Sequence, residues 1–366
     1  MSAAPFDIAL FAAVVRLCAP LLFAAVGELV SQKAGVINIG LEGMMLSGAF
    51  TGFVVAHGTG RASAGLLAGV LGGMLIGALM ALFSTTLGGD QIVVGVALNL
   101  LVAGVTLFLY RLMYTQGQPG IDRAQPLPLP GLSSIPLVGP VLFAQLPLGY
   151  VAFLSLPVIG FLLYRTRTGL ALRATGELPV AARTAGTHPA RVQWAAVLFA
   201  GAMAGLGGTF LSVVQLGFFA EGMTAGRGYL ALATVVFGRW RLRGVLVACL
   251  VFAATDALQL RLQSIAVLPT SVWVAVSLLG CLLLARTAAV RRRARDSTGG
   301  AAPSVAGAVL LLGGVAGFLT EPAVSLPAQV WLCLPYVLSL TALALTAGRS
   351  RSPAMVGRPL RREALT

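Results

Sequence analysis

Residues 64–112 read AGLLAGVLGGMLIGALMALFSTTLGGDQIVVGVALNLLVAGVTLFLYRL, two apolar runs parted by Gly88-Gly89-Asp90. Asp90 and Arg111 are the only charged residues in the stretch. A helix that crosses the hydrocarbon core of a bilayer needs about 20 predominantly apolar residues. The two runs therefore predict a pair of spanning helices joined by a short connection. The same test, carried outward, finds apolar segments at 8–29, 34–56, 64–87, 91–112, 148–164, 192–214, 229–238, 244–262, 268–285, 303–320 and 328–347. The segment 229–238 is too short to cross as a regular helix and reads as a broken or re-entrant piece. The expected fold class is all-α, a polytopic transmembrane bundle of about 9–11 spans.

Composition agrees. Of 366 residues, 58% are hydrophobic and 10% charged, where a soluble domain carries roughly a quarter charged. Lipid needs no polar coat, but it demands that backbone groups pair within the segment. The 45 glycines suit helices that approach closely in lipid. Cys18, Cys249, Cys281 and Cys333 each sit in an apolar stretch without paired spacing, as small packing residues do.

The net charge of +14 lies almost wholly between the apolar segments, which orients a membrane protein and argues against a nucleic-acid partner. Segments at 31–33, 88–90, 165–191, 239–243, 286–295 and beyond 348 hold 19 of the 25 basic residues. The richer side is cytoplasmic, which puts the N-terminus outside and the C-terminus inside. The proline-rich outer loop 113–147 reads as a packed external cap, and the basic tail 348–366 as loosely ordered.

Enzyme signals are nearly absent. The two histidines, His57 and His188, have no metal-ligand spacing, and the single lysine, Lys33, lies in V-S-Q-K-A-G, so the chain has no phosphate-binding loop. If movement of a solute uses ATP, another polypeptide binds it. Polar residues inside the spans are few and expensive. Asn38 and Glu42, four apart in GVINIGLEGMM, share one helical face; Gln91, Asn99 and Thr106 lie on roughly one side of the fourth span; Asp256, Gln259 and Gln263 follow helical spacing on the eighth. Either these groups line a hydrated path for a hydroxyl-rich solute, with Asn38, Glu42, Asn99 and Asp256 the candidates, or they bond helix to helix. In the inner loop, Glu177, Ala181-Ala182 and Gly186 form E-x-x-x-A-A-x-x-x-G. Small alanines on a short helix let another protein approach closely, and glycine lets the chain turn away.

These stretches carry a resemblance. GELVSQKAGVINIGLEGMMLSGAF (27–50), GDQIVVGVALNLL (89–101), TGLALRATGELPVAARTAGTHPARVQ (168–193) and GAMAGLGGTFLSVVQLGFFAEGMTAGRGYLALATVVFGRWRLRG (201–244) resemble, in order, segments of ABC-importer permeases of the branched-chain amino acid, ribose and nucleoside type. DALQLRLQ (256–263) and PYVLSLTALAL (335–345) resemble their last blocks, and the subgroup most similar is the simple-sugar and nucleoside permeases. The resemblance implies a bacterial inner-membrane permease domain over 1–347, with no cofactor of its own. ATP is used by a partner ABC ATPase, beside a second homologous permease in a heterodimer and an external substrate-binding lipoprotein. It implies that Glu177, Ala181, Ala182 and Gly186 couple the permease to that ATPase. One departure stands out: about 60 residues, 264–326, separate two blocks that adjoin in relatives, and read as an inserted helical hairpin.

Other classes fit less well. A branched-chain amino acid permease shares the same segments. An ion-coupled transporter would show inverted repeats and paired intramembrane carboxylates, and a channel would show charge rings or a filter loop.

Overall fold

In the computed structural model the described residues are 8–263 apart from 116, 118 and 137, isolated helical positions between 277 and 315, and 352–358. Contacts divide the chain into two units, one of Ala12–Ala253 with Ser350–Thr366, the other of Met1–Phe11 with Ala254–Arg349. Asp256 belongs to the second, half-buried on a helix that ends at Gln263. The segment 328–347 and most of 303–320, with most of the 264–326 insertion, lie outside the described residues.

In the larger unit α1 (Ile8–Lys33), α2 (Leu41–Thr59), α3 (Ala62–Ala81) and α4 (Gln91–Met113) follow one another closely. An outer segment then carries a two-residue antiparallel ladder, β1 (Leu127–Pro128) with β2 (Ala144–Gln145), around α5 (Val138–Leu142). After α6 (Pro147–Arg165) come two short helices, α7 (Arg167–Glu177) and α8 (Pro179–Thr184). The chain returns through α9 (Pro189–Thr209), the 11-residue α10 (Arg227–Phe237) and α11 (Leu242–Gln263). Among the described residues six helices are long and apolar enough to cross a membrane: α1, α3, α4, α6, α9 and α11, with α3 and α9 extended by π-helical turns at 82–86 and 210–216. The connection at Gly88-Gly89-Asp90 is short. The Asp90 carboxylate accepts from the N–H groups of Ile92 (2.8 Å) and Val93 (3.1 Å), capping α4.

The core is α2, clasped by α3 and α9 through backbone rather than side chains. Glycine recurs every fourth residue along α3, at Gly65, Gly69, Gly73 and Gly77, so all four lie along one face. A Cβ at Gly73 would overlap the Gly201 carbonyl of α9, one at Gly48 of α2 would overlap Gly205, and one at Gly208 would overlap the Met45 carbonyl. Lipid is as apolar as leucine, so close van der Waals packing replaces the hydrophobic drive between helices. Hydroxyls reinforce the seam: Ser212 donates to the Ala49 carbonyl (2.8 Å), Ser47 to that of Gly72 (3.0 Å) and Thr209 to that of Gly48 (3.1 Å).

Two segments differ from the sequence reading. Residues 34–40 are a non-helical elbow, so the predicted span at 34–56 begins only at Leu41, and Asn38 and Glu42 do not share a helical face. Gly35 has φ +94° and starts the elbow. The tail is not loose throughout: residues 352–358 form a turn with Pro353 buried, where the Met355 N–H donates to the Gly176 carbonyl (3.0 Å) and Gln91 Nε2 to that of Arg358 (3.4 Å).

The broken helix is α10, as its length predicted. Eleven residues rise about 16 Å, half of a ~30 Å core. Just beyond its C-terminal end, Trp240 Nε1 donates to Gln32 Oε1 (2.6 Å), one residue before α1 ends at Lys33. That end thus lies level with the C-terminal end of α1, and a helix of this length covers no more than about half of the core from there.

Candidate functional site

A helix that begins inside a membrane exposes unpaired N–H groups and the positive end of its dipole where water cannot answer them. For α10 the answer is Glu42. Its Oε1 accepts from Thr224 Oγ1 (2.6 Å) and the Gly226 N–H (2.9 Å), and its Oε2 from the Gly228 N–H (2.7 Å). Gly226, at φ +80°, offers no side-chain cap, so a carboxylate from α2 caps α10 across the bundle. A Cβ at Gly228 would overlap the Glu42 backbone, so only glycine admits this approach. Glu42 therefore holds a helix terminus with both oxygens.

Asn99 is equally occupied. Its Oδ1 accepts from the Gly43 N–H (2.7 Å), and its Nδ2 donates to the Ile39 carbonyl (2.9 Å) and to the Tyr229 hydroxyl (2.8 Å). It ties α4 to the elbow, to the start of α2 and to α10. Asn38 is fully buried: its N–H donates to Glu28 Oε1 (3.2 Å), which also accepts from Gln32 Nε2 (2.7 Å). Glu28 Oε2 and Asn38 Oδ1 are buried without a hydrogen-bond partner among the described residues. Of the predicted path residues the structure brings together Asn38, Glu42 and Asn99, while Asp256 belongs to the other unit. The exposed member of this cluster is Tyr229, 47% exposed near the N-terminal end of α10. Sequence reasoning missed it. The available signal was an amphipathic phenol on a helix too short to span.

Outside the membrane, Arg111 clasps the loop that descends to α10. Its Nε and Nη2 donate to Glu221 Oε1 (2.9 Å) and Oε2 (3.1 Å), which holds the Glu221 carboxyl below its ordinary value. The same loop is anchored at its inner end through Thr224 to Glu42.

The segment carrying Glu177, Ala181, Ala182 and Gly186 is two helices rather than one. Glu177 ends α7, Pro179 opens α8, and the alanines sit on α8. They differ in exposure: Ala181 is exposed and Ala182 only 2% exposed, with its carbonyl accepting from Thr187 Oγ1 (2.6 Å). Gly186 has φ +81° with open space around it and turns the chain toward α9. Leu178 and Val180 are exposed beside Ala181, an apolar patch outside the spans. Behind the patch the segment is locked to the elbow. A Cβ at Gly176 would overlap the Lys33 carbonyl, Gln193 Nε2 donates to the Ala34 carbonyl (3.1 Å), and the Ile37 N–H donates to Gln91 Oε1 (2.8 Å). The end of α7 thus packs against the start of the elbow, which α9 and α4 also hold and which leads within a few residues to Glu42.

Comparison with known proteins gives the architecture its context. Residues 10–287 match the family described as branched-chain amino acid transport system, permease component. A putative glucose ABC transporter permease of Haloferax volcanii is 39% identical over 262 residues, 71% of this chain and 79% of that protein. The guanosine ABC transporter permease of Bacillus subtilis is 36% identical over 255 residues, 66% of this chain and 79% of that protein. The nucleoside ABC transporter permease of Lactococcus lactis subsp. cremoris is 34% identical over 247 residues, 65% and 78%. No solved structure matches the chain. With three quarters of its length matched and its polytopic helical fold in hand, the chain belongs to the branched-chain amino acid transport system permease family.

Proposed function

We propose that this chain is one permease subunit of an ATP-driven importer and forms part of the translocation path for an uncharged, hydroxyl-rich solute, a nucleoside or a simple sugar. The observation that carries the solute class is the occupied α10 N-terminus. Transporters of anionic or zwitterionic solutes aim bare half-helix N-termini at the solute carboxylate. Here Glu42 fills that position, and beside it stands the exposed ring of Tyr229, whose hydroxyl accepts from Asn99. A phenol hydrogen-bonds hydroxyls and stacks on sugar or base faces without selecting charge. The relatives named for glucose, guanosine and nucleosides support the same reading over a branched-chain amino acid.

The basic asymmetry supports an outside N-terminus and an inside C-terminus, which places α7 and α8 in the cytoplasm. There Leu178, Val180 and Ala181 present the face on which a separate ABC ATPase docks, and Glu177 adds a charged contact. ATP is bound and hydrolysed on that partner. The chain itself binds no cofactor. A second homologous permease completes the path, and an external lipoprotein receptor delivers the solute. Asp256 stands as a further path residue on α11.

The test is uptake by right-side-out vesicles carrying the whole importer with its receptor. Guanosine or glucose should accumulate with ATP inside and continue after ionophores collapse ion gradients, while leucine should not. Accumulation that needs an ion gradient overturns the ATP-driven reading. Accumulation of leucine alone overturns the argument from Glu42.

A further inference from the structure

Between α6 and α11 lies a cleft of about 670 Å³, within the roughly 300–1,000 Å³ typical of small-molecule sites. Leu156, Pro157 and Gly160 of α6 and Leu242 and Leu246 of α11 form its walls. The two helices touch at Gly160, where a Cβ would stand 3.3 Å from Leu242 Cδ1. From Leu156 to the far end at Tyr164 the cleft follows α6 for about 12 Å. Both helices carry exposed apolar side chains along the membrane-crossing stretch, among them Val158 and Phe161 on α6 and Val247 on α11. The cleft therefore opens onto an apolar surface.

Its other end is cationic. Arg241 and Arg243 line the mouth beside Tyr164, and both are exposed. Neither forms an ion pair with a described residue. A third guanidinium, Arg173, lies 5.5 Å from the Tyr164 ring centroid. Lys33 stands in the field of Arg173 and Arg241, with Glu177 the one carboxylate acting on it. Two guanidiniums thus line the cleft where α6 ends and α11 begins, with a third at the Tyr164 ring and no carboxylate in the lining. The excess of positive charge calls for an anion, and the walls above it call for hydrocarbon.

The geometry points to a bound anionic phospholipid, with one acyl chain between α6 and α11 and the phosphate against Arg241 and Arg243. Basic pockets between helices at the cytoplasmic surface take such headgroups. A free phosphate would use the mouth and leave the apolar walls bare. A neutral lipid would use the walls and leave the guanidiniums unanswered. The leaflet named here is the inner one, which rests on the orientation proposed above; the site's chemistry does not depend on it. The lipid would wedge α11 against α6, whose last residue adjoins α7, and so bear on the segment proposed to dock the ATPase.

The test uses the full chain, purified in detergent and titrated with phosphatidylglycerol or phosphatidylcholine of identical acyl chains, with retained lipid read by native mass spectrometry. Wild type should retain phosphatidylglycerol in preference. Each of Arg241→Gln and Arg243→Gln should weaken retention about fivefold, and the double variant about twentyfold, with phosphatidylcholine unaffected. Gly160→Phe, which fills the cleft while leaving both arginines, should abolish the preference. Millimolar inorganic phosphate should not displace the lipid. Equal retention of the two lipids, indifference to the arginines, or displacement by phosphate would each overturn the proposal. Neither ATP nor solute is present, so the result is independent of the transport reading.

Discussion

Glu42→Ala should fail as a fold before it fails as a transporter. The substitution removes three hydrogen bonds, of 2.6, 2.9 and 2.7 Å, from Thr224, Gly226 and Gly228. The Thr224 hydroxyl can turn to another acceptor, but the two backbone N–H groups are fixed by the start of α10. Leaving a buried donor unsatisfied costs about 1–3 kcal/mol, so the two amides lose about 2–6 kcal/mol. The uncompensated helix dipole adds on the order of 1 kcal/mol. Glu42→Gln keeps one acceptor and turns an NH2 group toward a donor, so it should lose roughly half as much. The assay is thermal unfolding of detergent-solubilised permease followed by size-exclusion chromatography. The midpoint should drop by on the order of 5–10 °C for Glu42→Ala, with Glu42→Gln between it and wild type. If Glu42→Ala keeps the wild-type midpoint yet abolishes uptake, Glu42 meets the solute rather than α10, and the assignment of α10's cap is wrong.

Three further outcomes test the remaining parts. Gly73→Leu drives a side chain into the Gly201 carbonyl and should abolish the monodisperse folded peak, whereas Gly104→Leu, with open space around it on α4, should elute as wild type; equal behaviour of the two would refute the backbone-packed core. Ala181→Arg should lower co-purification of the ATPase at least tenfold with the permease still folded, while Ala182→Arg, placed where only 2% of the residue is exposed, should lower the unfolding midpoint instead; undiminished ATPase retention by Ala181→Arg would remove α8 from the docking face. Tyr229→Phe forfeits one hydrogen bond, worth about 0.5–1.5 kcal/mol, and should raise the KM for uptake several-fold while leaving the unfolding midpoint within a degree or two; an unchanged KM would take Tyr229 out of the path.

The spans were legible because twenty apolar residues in a row have one physical outlet. The elbow at 34–40 was not. Its residues are as apolar as a helix requires, and what breaks the helix is tertiary: Asn38 N–H is drawn to Glu28 and Ile37 N–H to Gln91, 54 residues away. No local pattern records such partners. The same limit explains the polar residues. A carboxylate in an apolar segment announces that something pairs with it, and sequence alone leaves open whether the partner is a solute or a helix end. Glu42 and Asn99 were rightly singled out as costly, and the partners proved to be the N–H groups of Gly226, Gly228 and Gly43. The alanine pair carried the opposite ambiguity, because two adjacent small residues on one turn of helix point about 100° apart, so the pattern names both and only the fold tells which one faces out.

That ambiguity has a consequence for coupling. Ala182 packs inward against the chain's own backbone, so a push on the exposed Ala181 face has little room to dissipate in α8. It passes to α7, whose Gly176 is seated on the Lys33 carbonyl, and from there to the elbow. Coupling between sites needs an element that both can bias. The elbow qualifies, since α7 abuts it on one side and the Glu42 cap on α10 begins two residues beyond its end. The tail turn touches both ends of this route, at Gly176 and at Gln91. If the ATPase docks on α8 as proposed, a route built from backbone contacts and fixed hydrogen bonds would carry its push to Tyr229, which Asn99 ties to the elbow.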